Sequence, residues 1–185
     1  MARGGSSSSA GALPRRIPLR PRPLLEALVR HKVRFIVIGG VAERMLGSPR
    51  TTDDFDICPA TSRANLDRLA TMLIDVGARW APAGLEKTGF DLVEPWNAAS
   101  FKAQTSLALI TAYGKFDIWF RPDGTAGYDD LIKKAVAVEV GGLKAKAVHL
   151  DDSMRIKRTI GGTKYLAHLP LLRELQRQRR EQGLD

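Results

Sequence analysis

The segment IVIGGVAERMLGSPRTTDDFDI, residues 36–57, decides the fold of this 185-residue chain. It joins an apolar run to paired glycines, a short helical segment and a second apolar run that carries Asp54 and Asp56. Side chains two residues apart in a strand point to the same face. The two carboxylates are therefore expected on one face of a strand, with Phe55 and Ile57 turned to the core.

Two neighbouring carboxylates repel each other, and a folded sheet tolerates them when a cation lies between them. Hard oxygen ligands of this kind suit Mg²⁺, which usually takes one or two carboxylates together with substrate phosphates. The later segment KFDIWF repeats the pattern, with Asp117 between Phe116 and Ile118. If its strand is adjacent in the sheet, Asp117 joins the other two acids. We then predict a two-metal site for in-line attack on a phosphate.

The paired glycines, Gly39 and Gly40, lie where the first strand passes into the short helix. Without Cβ atoms their backbone is expected to approach a triphosphate, which the N–H groups of a turn and a helix N-terminus can bind. Arg50 would add a charge-assisted contact. Gly-Gly alone and Asp-x-Asp alone are weak signals. Their combination at a spacing of 14–17 residues, followed by a third in-strand acid, is far more specific.

The order of the remaining patterns predicts an α/β or α+β domain with a small mixed β-sheet flanked by helices. Apolar residues at helical spacing indicate two helices, and glycines at turn positions indicate two hairpins. The C-terminal part reads as largely helical with one glycine break. Residues 79–104 are ambiguous, and GFDLVEPW fits a strand or a loop. The predicted elements are helices at 22–33 and 61–77, hairpins around 113–114 and 141–142, and C-terminal helices interrupted at 161–162.

The formal net charge of +9 is unevenly distributed. Residues 1–34 hold eight Lys and Arg against Glu26, which leaves +7 there and +2 on the rest of the chain. A basic arm on a near-neutral body suggests an anionic partner such as RNA, DNA or an acidic protein, and a solubilising tail is the equal alternative. The single cysteine excludes an intramolecular disulfide, and the three histidines share no metal-ligand spacing. No apolar run is long enough to span a bilayer, so we predict a cytoplasmic protein without a membrane partner.

The glycine and aspartate segment resembles a known family. Its pattern is similar to that of the nucleotidyltransferase superfamily with the DNA polymerase β-like fold, most of all the small AbiEii/MenT-type toxin branch. The GKFDIWF segment resembles the strand that supplies the third family acid, and the C-terminal helices resemble the family's closing segment. The resemblance covers roughly residues 22–175. The matching positions are Gly39, Gly40, Ala42, Gly47, Arg50, Thr52, Asp54, Asp56, Asp117, Lys157 and Lys164.

The resemblance implies a Mg²⁺-dependent enzyme, in which an NTP binds with the metal across Asp54 and Asp56 and Asp117 completes the catalytic metal site. It implies nucleotide contacts from Gly39, Gly40, Arg50, Thr52, Lys157 and Lys164. In the toxin branch the acceptor is the 3′ end of tRNA, and a cognate antitoxin restrains the activity. The resemblance also divides the chain into a flexible basic arm at 1–21, a nucleotidyltransferase domain at 22–150 and a C-terminal helical segment at 151–185 packed on the same domain.

The chain departs from the family pattern at two positions. Val41 stands where many relatives have Ser or Thr, and Tyr165 stands where many have Asp. Three readings therefore stay open for the acceptor and the chemistry. Besides the tRNA-modifying toxin, an antibiotic or protein nucleotidyltransferase carries a similar motif, and a non-catalytic binding module retains the fold. Basic character argues against an acidic pocket for a cationic drug, and three retained acids argue against a module without catalysis.

Overall fold

One mixed β-sheet organises the described chain. The computed structural model describes residues 17–80, 96–101 and 104–184. Within these ranges seven strands pair in the order β3-β4-β5-β2-β1-β7-β6. The strands are β1 (Phe35–Ile38), β2 (Asp54–Pro59), β3 (Arg79–Trp80), β4 (Ser106–Thr111), β5 (Gly114–Trp119), β6 (Val136–Val140) and β7 (Leu143–Ala147).

Seven helices accompany this sheet in the described ranges. In the structure α1 contacts α3, whereas α5 contacts both α2 and α7. The predicted fold class, a small mixed sheet flanked by helices, is confirmed. The helices are α1 (Pro21–Arg30), α2 (Gly39–Met45), α3 (Arg63–Asp75), α4 (Tyr128–Leu131), α5 (Leu150–Ile160), α6 (Gly162–Leu166) and α7 (Leu169–Glu181).

The central strands follow from their composition. β1 is the apolar sequence FIVI and is buried at every position, as expected of a strand covered on both faces. β2 starts with the alternation predicted from its sequence, because Phe55 and Ile57 are fully buried while Asp54 and Asp56, which alternate with them, are partly exposed. Phe55 packs against Phe116 of β5, with ring centroids 5.9 Å apart. This apolar side of the β2–β5 pair anchors the opposite side, which carries the acids.

Most predicted elements are present with shifted ends. Both hairpins, β4–β5 and β6–β7, turn at the predicted glycines, and the C-terminal helices break at Gly161. The paired glycines lie where β1 passes into the short helix, as predicted, and they form the first turn of α2. The ambiguous GFDLVEPW segment lies outside the described residues except for Trp96, which is buried and donates a hydrogen bond to the carbonyl of Ala78.

The two ends of the described chain pack on the sheet domain. The Arg20 backbone N–H donates to the carbonyl of Tyr113 at 2.8 Å, so the last residues of the predicted arm lie against the β4–β5 turn. At the other end, the Arg179 guanidinium donates to the carbonyl of Leu46 at 3.2 Å. Residues 1–16 lie outside the described part. Among the described residues, no helix combines the length and the apolar character needed to cross a membrane.

One buried amide ties three segments together behind the glycine and aspartate strands. Asn65, at the start of α3, is 1% exposed. Its Oδ1 accepts from the backbone N–H of Arg34 at 2.7 Å, and its Nδ2 donates to the carbonyls of Arg34 and Ala60 at 3.0 and 2.8 Å. The residue before β1 and the residue after β2 are thereby held together.

Replacing this amide tests its role. Asn65→Ala removes the side-chain partner of the Arg34 N–H and of the buried Ala60 carbonyl, whereas the Arg34 carbonyl still accepts from the Ala60 N–H. Each backbone group left unpaired costs about 1–3 kcal/mol. We expect a loss of about 2–4 kcal/mol in the free energy of unfolding, measured by denaturant titration. The exposed Thr71→Ala on the same helix is the control and should stay within about 0.5 kcal/mol of wild type. Equal stability of the two variants would contradict this role for Asn65.

Candidate active site

Three carboxylates meet where β2 lies beside β5. These strands pair in parallel, with Asp56 opposite Asp117 and Phe55 opposite Phe116. Asp54 and Asp56 share a face because they are two residues apart. Asp54, Asp56 and Asp117 each offer a carboxylate oxygen, and these oxygens lie within 4.8 Å of one another. The strand adjacency on which the predicted site depends is therefore present.

The donor set fits a hard divalent cation. Burial raises the pKa of Asp56 to about 8, and the charges of Asp54 and Asp117 add to this rise. Burial also raises the pKa of Asp117 to about 6, with a further contribution from Asp54. Such rises mean that the negative charges are costly where they stand. A divalent ion bound among these oxygens would remove that cost, and all-oxygen carboxylate sites are typical of Mg²⁺.

Two neighbouring side chains fix the acids in place. The Thr52 hydroxyl donates to Asp54 Oδ1 at 2.5 Å. The Trp119 indole Nε1–H, on the same face of β5 as Asp117, donates to Asp56 Oδ1 at 3.1 Å. Each contact leaves the second oxygen of its carboxylate for another partner. Thr52 thus contacts an acid directly, besides its predicted place near the nucleotide.

The paired glycines make room for these side chains. Gly39 has φ +64°, and a Cβ there would collide with the carboxylate of Asp56. A Cβ on Gly40 would lie 2.6 Å from Cβ of Thr52. The sequence predicted that these glycines let a phosphate approach the backbone. The structure shows that glycine is required here for packing, because Asp56 and Thr52 occupy the space that a Cβ at either position would need.

The acids line one side of a cleft of about 320 Å³. Its other side comes from α5, α6 and the residue before α7. The predicted nucleotide-binding residues Gly39, Gly40, Arg50, Thr52, Lys157 and Lys164 all line the same cleft. Residues as far apart in the sequence as Gly39 and Lys164 thus line one cleft. The facing wall is formed by Ile156, Lys157, Ile160, Lys164, Tyr165 and His168.

The three predicted cations of the cleft have different surroundings. Lys157 is buried, with its Nζ 2.9 Å from Oε1 of Glu43. Arg50 is half-buried, with its Nη1 3.7 Å from Oε2 of Glu43. Lys164 is exposed, and its Nζ lies 5.8 Å from the ring centroid of Tyr165. Two cations are therefore held by one carboxylate, and the third extends from α6.

Sequence reasoning missed three residues at this site. Glu43 follows Ala42 in a short helix and has the sequence signature of an ordinary solvent-facing glutamate, but it is 1% exposed. Trp119 is two residues from Asp117 and therefore shares its face of β5. This spacing identifies Trp119 as a site residue only once β5 is known to border the cleft. His168 lines the cleft, its buried Nδ1 has no hydrogen-bond partner within the described residues, and burial together with Arg50 lowers its pKa.

Solved structures share this arrangement of the chain. The lincosamide antibiotic adenylyltransferase LnuA, solved with lincomycin bound, superposes with a TM-score of 0.58 at 13% identity, over 85% of this chain and 99% of that chain. The antibiotic-resistance factor ANT(2'')-Ia, solved in solution, gives a TM-score of 0.52 at 14% identity, over 88% of this chain and 90% of that chain. No protein-family model matches the sequence, and no curated protein matches it significantly.

The chain has the nucleotidyltransferase fold. The likeness spans most of this chain and nearly all of each solved structure. At these identities it establishes the fold alone, which confirms the fold expected from the sequence. The AbiEii/MenT-type branch stays a prediction.

The raised carboxyl pKa values predict an unusual pH dependence of stability. An acid with a pKa near 8 in the folded state and 3.8 in the unfolded state binds more protons when folded at the pH values between them. Folding stability is therefore greatest near the lower value and falls as pH rises towards 8. We expect the melting temperature of the metal-free protein to fall from pH 5 to pH 8, and Mg²⁺ to restore it most strongly at pH 8.

Asp56→Asn separates this effect from general charge repulsion. It removes the titrating carboxyl, so the decline in melting temperature should become shallower and the response to Mg²⁺ smaller. The exposed Asp67→Asn on α3 is the matched control and should keep the wild-type profile. A wild-type slope in Asp56→Asn would show that other groups govern the pH dependence.

Proposed function

We propose that the protein is a Mg²⁺-dependent nucleotidyltransferase that transfers a nucleoside monophosphate from an NTP to a hydroxyl group and releases pyrophosphate. The observation that supports this most is the convergence of Asp54, Asp56 and Asp117 within 4.8 Å at a cleft with cationic residues. The fold shared with solved adenylyltransferases adds to it. Three acids of this kind can hold two ions, and cations can bind the phosphates.

Each group has a role in the proposed reaction. Asp54 and Asp56 would hold the metal that accompanies the NTP, and Asp117 would complete the site on the neighbouring strand. Bound Mg²⁺ supplies charge stabilisation for the phosphoryl oxygens. The acceptor oxygen forms a bond to the α-phosphorus while the bond from that phosphorus to pyrophosphate breaks. Asp117, which lies opposite Asp56 on the neighbouring strand, would accept the acceptor's hydroxyl proton.

The cations of the cleft would bind the triphosphate. Arg50 and Lys157 lie at the cleft with their side chains held by Glu43, and Lys164 extends from α6. Their positive charges complement the phosphates of an NTP and the developing charge of the leaving pyrophosphate.

For the acceptor we propose the 3′ end of tRNA, and for the biological role a toxin restrained by a cognate antitoxin. The net charge of +9 and the exposed Lys164 beside an aromatic ring support a polyanionic acceptor. Some arginines that contribute to the charge of residues 1–34 have other partners, since Arg30 pairs with Asp75 and Arg34 lies over the Tyr128 ring. The support therefore rests on the cleft and less on residues 17–34.

The second candidate is transfer to a small antibiotic. It is favoured by the two solved structures described above, since LnuA is named a lincosamide adenylyltransferase and ANT(2'')-Ia an antibiotic-resistance factor. Arg50, Lys157 and Lys164 at the cleft disfavour a cationic drug, whereas Asp53 and Asp123 at its rim favour one. Transfer to a partner protein would use the same three acids, with a protein side chain as the acceptor.

One assay distinguishes these acceptors. The purified protein is incubated with Mg²⁺ and each α-labelled NTP, and with total tRNA, an aminoglycoside or a lincosamide. We expect label in tRNA with at least one NTP. Label in a drug alone would replace the tRNA proposal with the second candidate, and no transfer to any acceptor together with no NTP binding would overturn the enzyme proposal.

Variants of the three acids test the proposed metal site. Even outer-shell partners of a metal site are worth roughly 10–100-fold, so Asp54→Asn or Asp117→Asn should lower transfer by more than about 100-fold. Their melting temperatures without metal should equal or exceed that of wild type, because a costly charge is removed. Asp67→Asn should retain full activity. Full activity in Asp54→Asn or Asp117→Asn would show that the substituted acid is not a ligand of a catalytic metal.

A further inference from the structure

Glu43 is a buried carboxylate behind the cleft wall. It lies on α2, is 1% exposed, and does not itself line the cleft. Its Oε1 accepts hydrogen bonds from the Ser153 hydroxyl at 2.8 Å and from Lys157 Nζ at 2.9 Å. Both partners lie on α5. One oxygen therefore joins the helix after the glycine pair to the helix that forms the facing wall.

The second oxygen of Glu43 is directed to the other cation of the cleft. Oε2 is buried and has no hydrogen-bond partner within the described part of the chain. Arg50 Nη1 lies 3.7 Å away, too far for a hydrogen bond and close enough for a strong charge interaction. A single negative charge thus faces two positive charges, both of which line the cleft.

Stability alone gives a weak reason for this arrangement. Buried ion pairs gain little over apolar residues of similar volume, because desolvation offsets the attraction. The neighbouring α2 residues Val41 and Ala42 are apolar and buried, so burial of this helix does not itself require a charge. The carboxylate instead restricts the positions that the Lys157 ammonium and the Arg50 guanidinium can take.

The acid cluster is the competing destination for Lys157. Lys157 lines the same cleft as Asp54, Asp56 and Asp117, so its positive charge lies across one open space from the three carboxylates. Without the carboxylate, the stronger pull would come from Asp54, Asp56 and Asp117. Lys157 would then approach the oxygens that a metal needs and leave the phosphate side of the cleft.

We propose that Glu43 is a positioning residue that holds Lys157 and Arg50 at the phosphate wall, away from the acid cluster. This inference rests on the proposed function, because it assumes that the wall binds a triphosphate. Glu43 acts through its two cations and touches neither the nucleotide nor the metal.

Direct binding of a nucleotide tests the proposal. The probe is a fluorescent ATP analogue that cannot be cleaved between the α- and β-phosphates, titrated with Mg²⁺ present. If transfer favours another NTP, the matching analogue is used. We expect Glu43→Gln to raise Kd about 10–100-fold, the range for removing an outer-shell partner, and to raise KM more than it lowers kcat. The same substitution in a Lys157→Met background should cost much less, because the residue it positions is gone.

Two further variants separate positioning from folding. Glu43→Asp keeps a counter-charge near Lys157 and retracts the carboxylate, so it should still fold cooperatively while the displaced cations weaken nucleotide binding. Asp130→Asn is the matched control, because Asp130 holds α5 through Arg155 at 2.8 Å on the side away from Glu43. That variant should bind nucleotide as wild type does. If Glu43→Gln fails to fold, Glu43→Asp decides the question.

The possible results have different meanings. A folded Glu43→Asp or Glu43→Gln with wild-type Kd overturns the inference while leaving the proposed function intact. So does an equal cost of Glu43→Gln in the wild-type and Lys157→Met backgrounds. Wild-type protein that binds no nucleotide at all overturns the proposed function, and the inference with it.

Discussion

The parallel pairing of β2 with β5 is the constraint on which the rest of the site depends. It places Asp56 opposite Asp117 in register, with Asp54 on the same face. Three like charges near one another in a partly buried setting cost free energy, as the raised pKa values of Asp56 and Asp117 show. The apolar face of the same strands supplies the compensation, through fully buried Phe55, Ile57, Phe116 and Ile118.

The spacing of the sequence motif follows from this constraint. Asp56 needs space above it, and Gly39 provides that space because it lacks a Cβ. Thr52 must reach Asp54, and Gly40 leaves room for it. The antiparallel β1–β2 pair sets Ile38 opposite Asp56, which brings the glycines beside the acids. The two glycines, the threonine and the acids therefore form one packed unit. The site needs all of them together, so the combined motif predicts it better than either pair of residues alone.

Local patterns in the sequence predicted the parts of the site that depend on local geometry. The period of two in DFDI and KFDI placed the acids on one face, and the turn glycines placed both hairpins. The role of Glu43 depends instead on a contact with Ser153, 110 residues away along the chain. No periodicity around Glu43 carries that information, because it arises only when α5 packs against α2. The hydrogen bond from the Arg20 backbone N–H to the carbonyl of Tyr113 is another contact between distant positions that no local pattern indicates.

The two sides of the cleft differ in how firmly they are built. The acids stand on central strands of the sheet, and Lys157 is fixed by a buried carboxylate. By contrast, α6 has no buried residue and begins at Gly162, directly after Gly161. Both glycines have positive φ angles, +69° and +75°, and a Cβ at either would meet no atom within 4 Å. Lys164 and Tyr165 extend from this short helix to the cleft. In the proposed reaction, the phosphates would therefore be bound by packed elements, and the least packed part of the wall would be left to contact the acceptor.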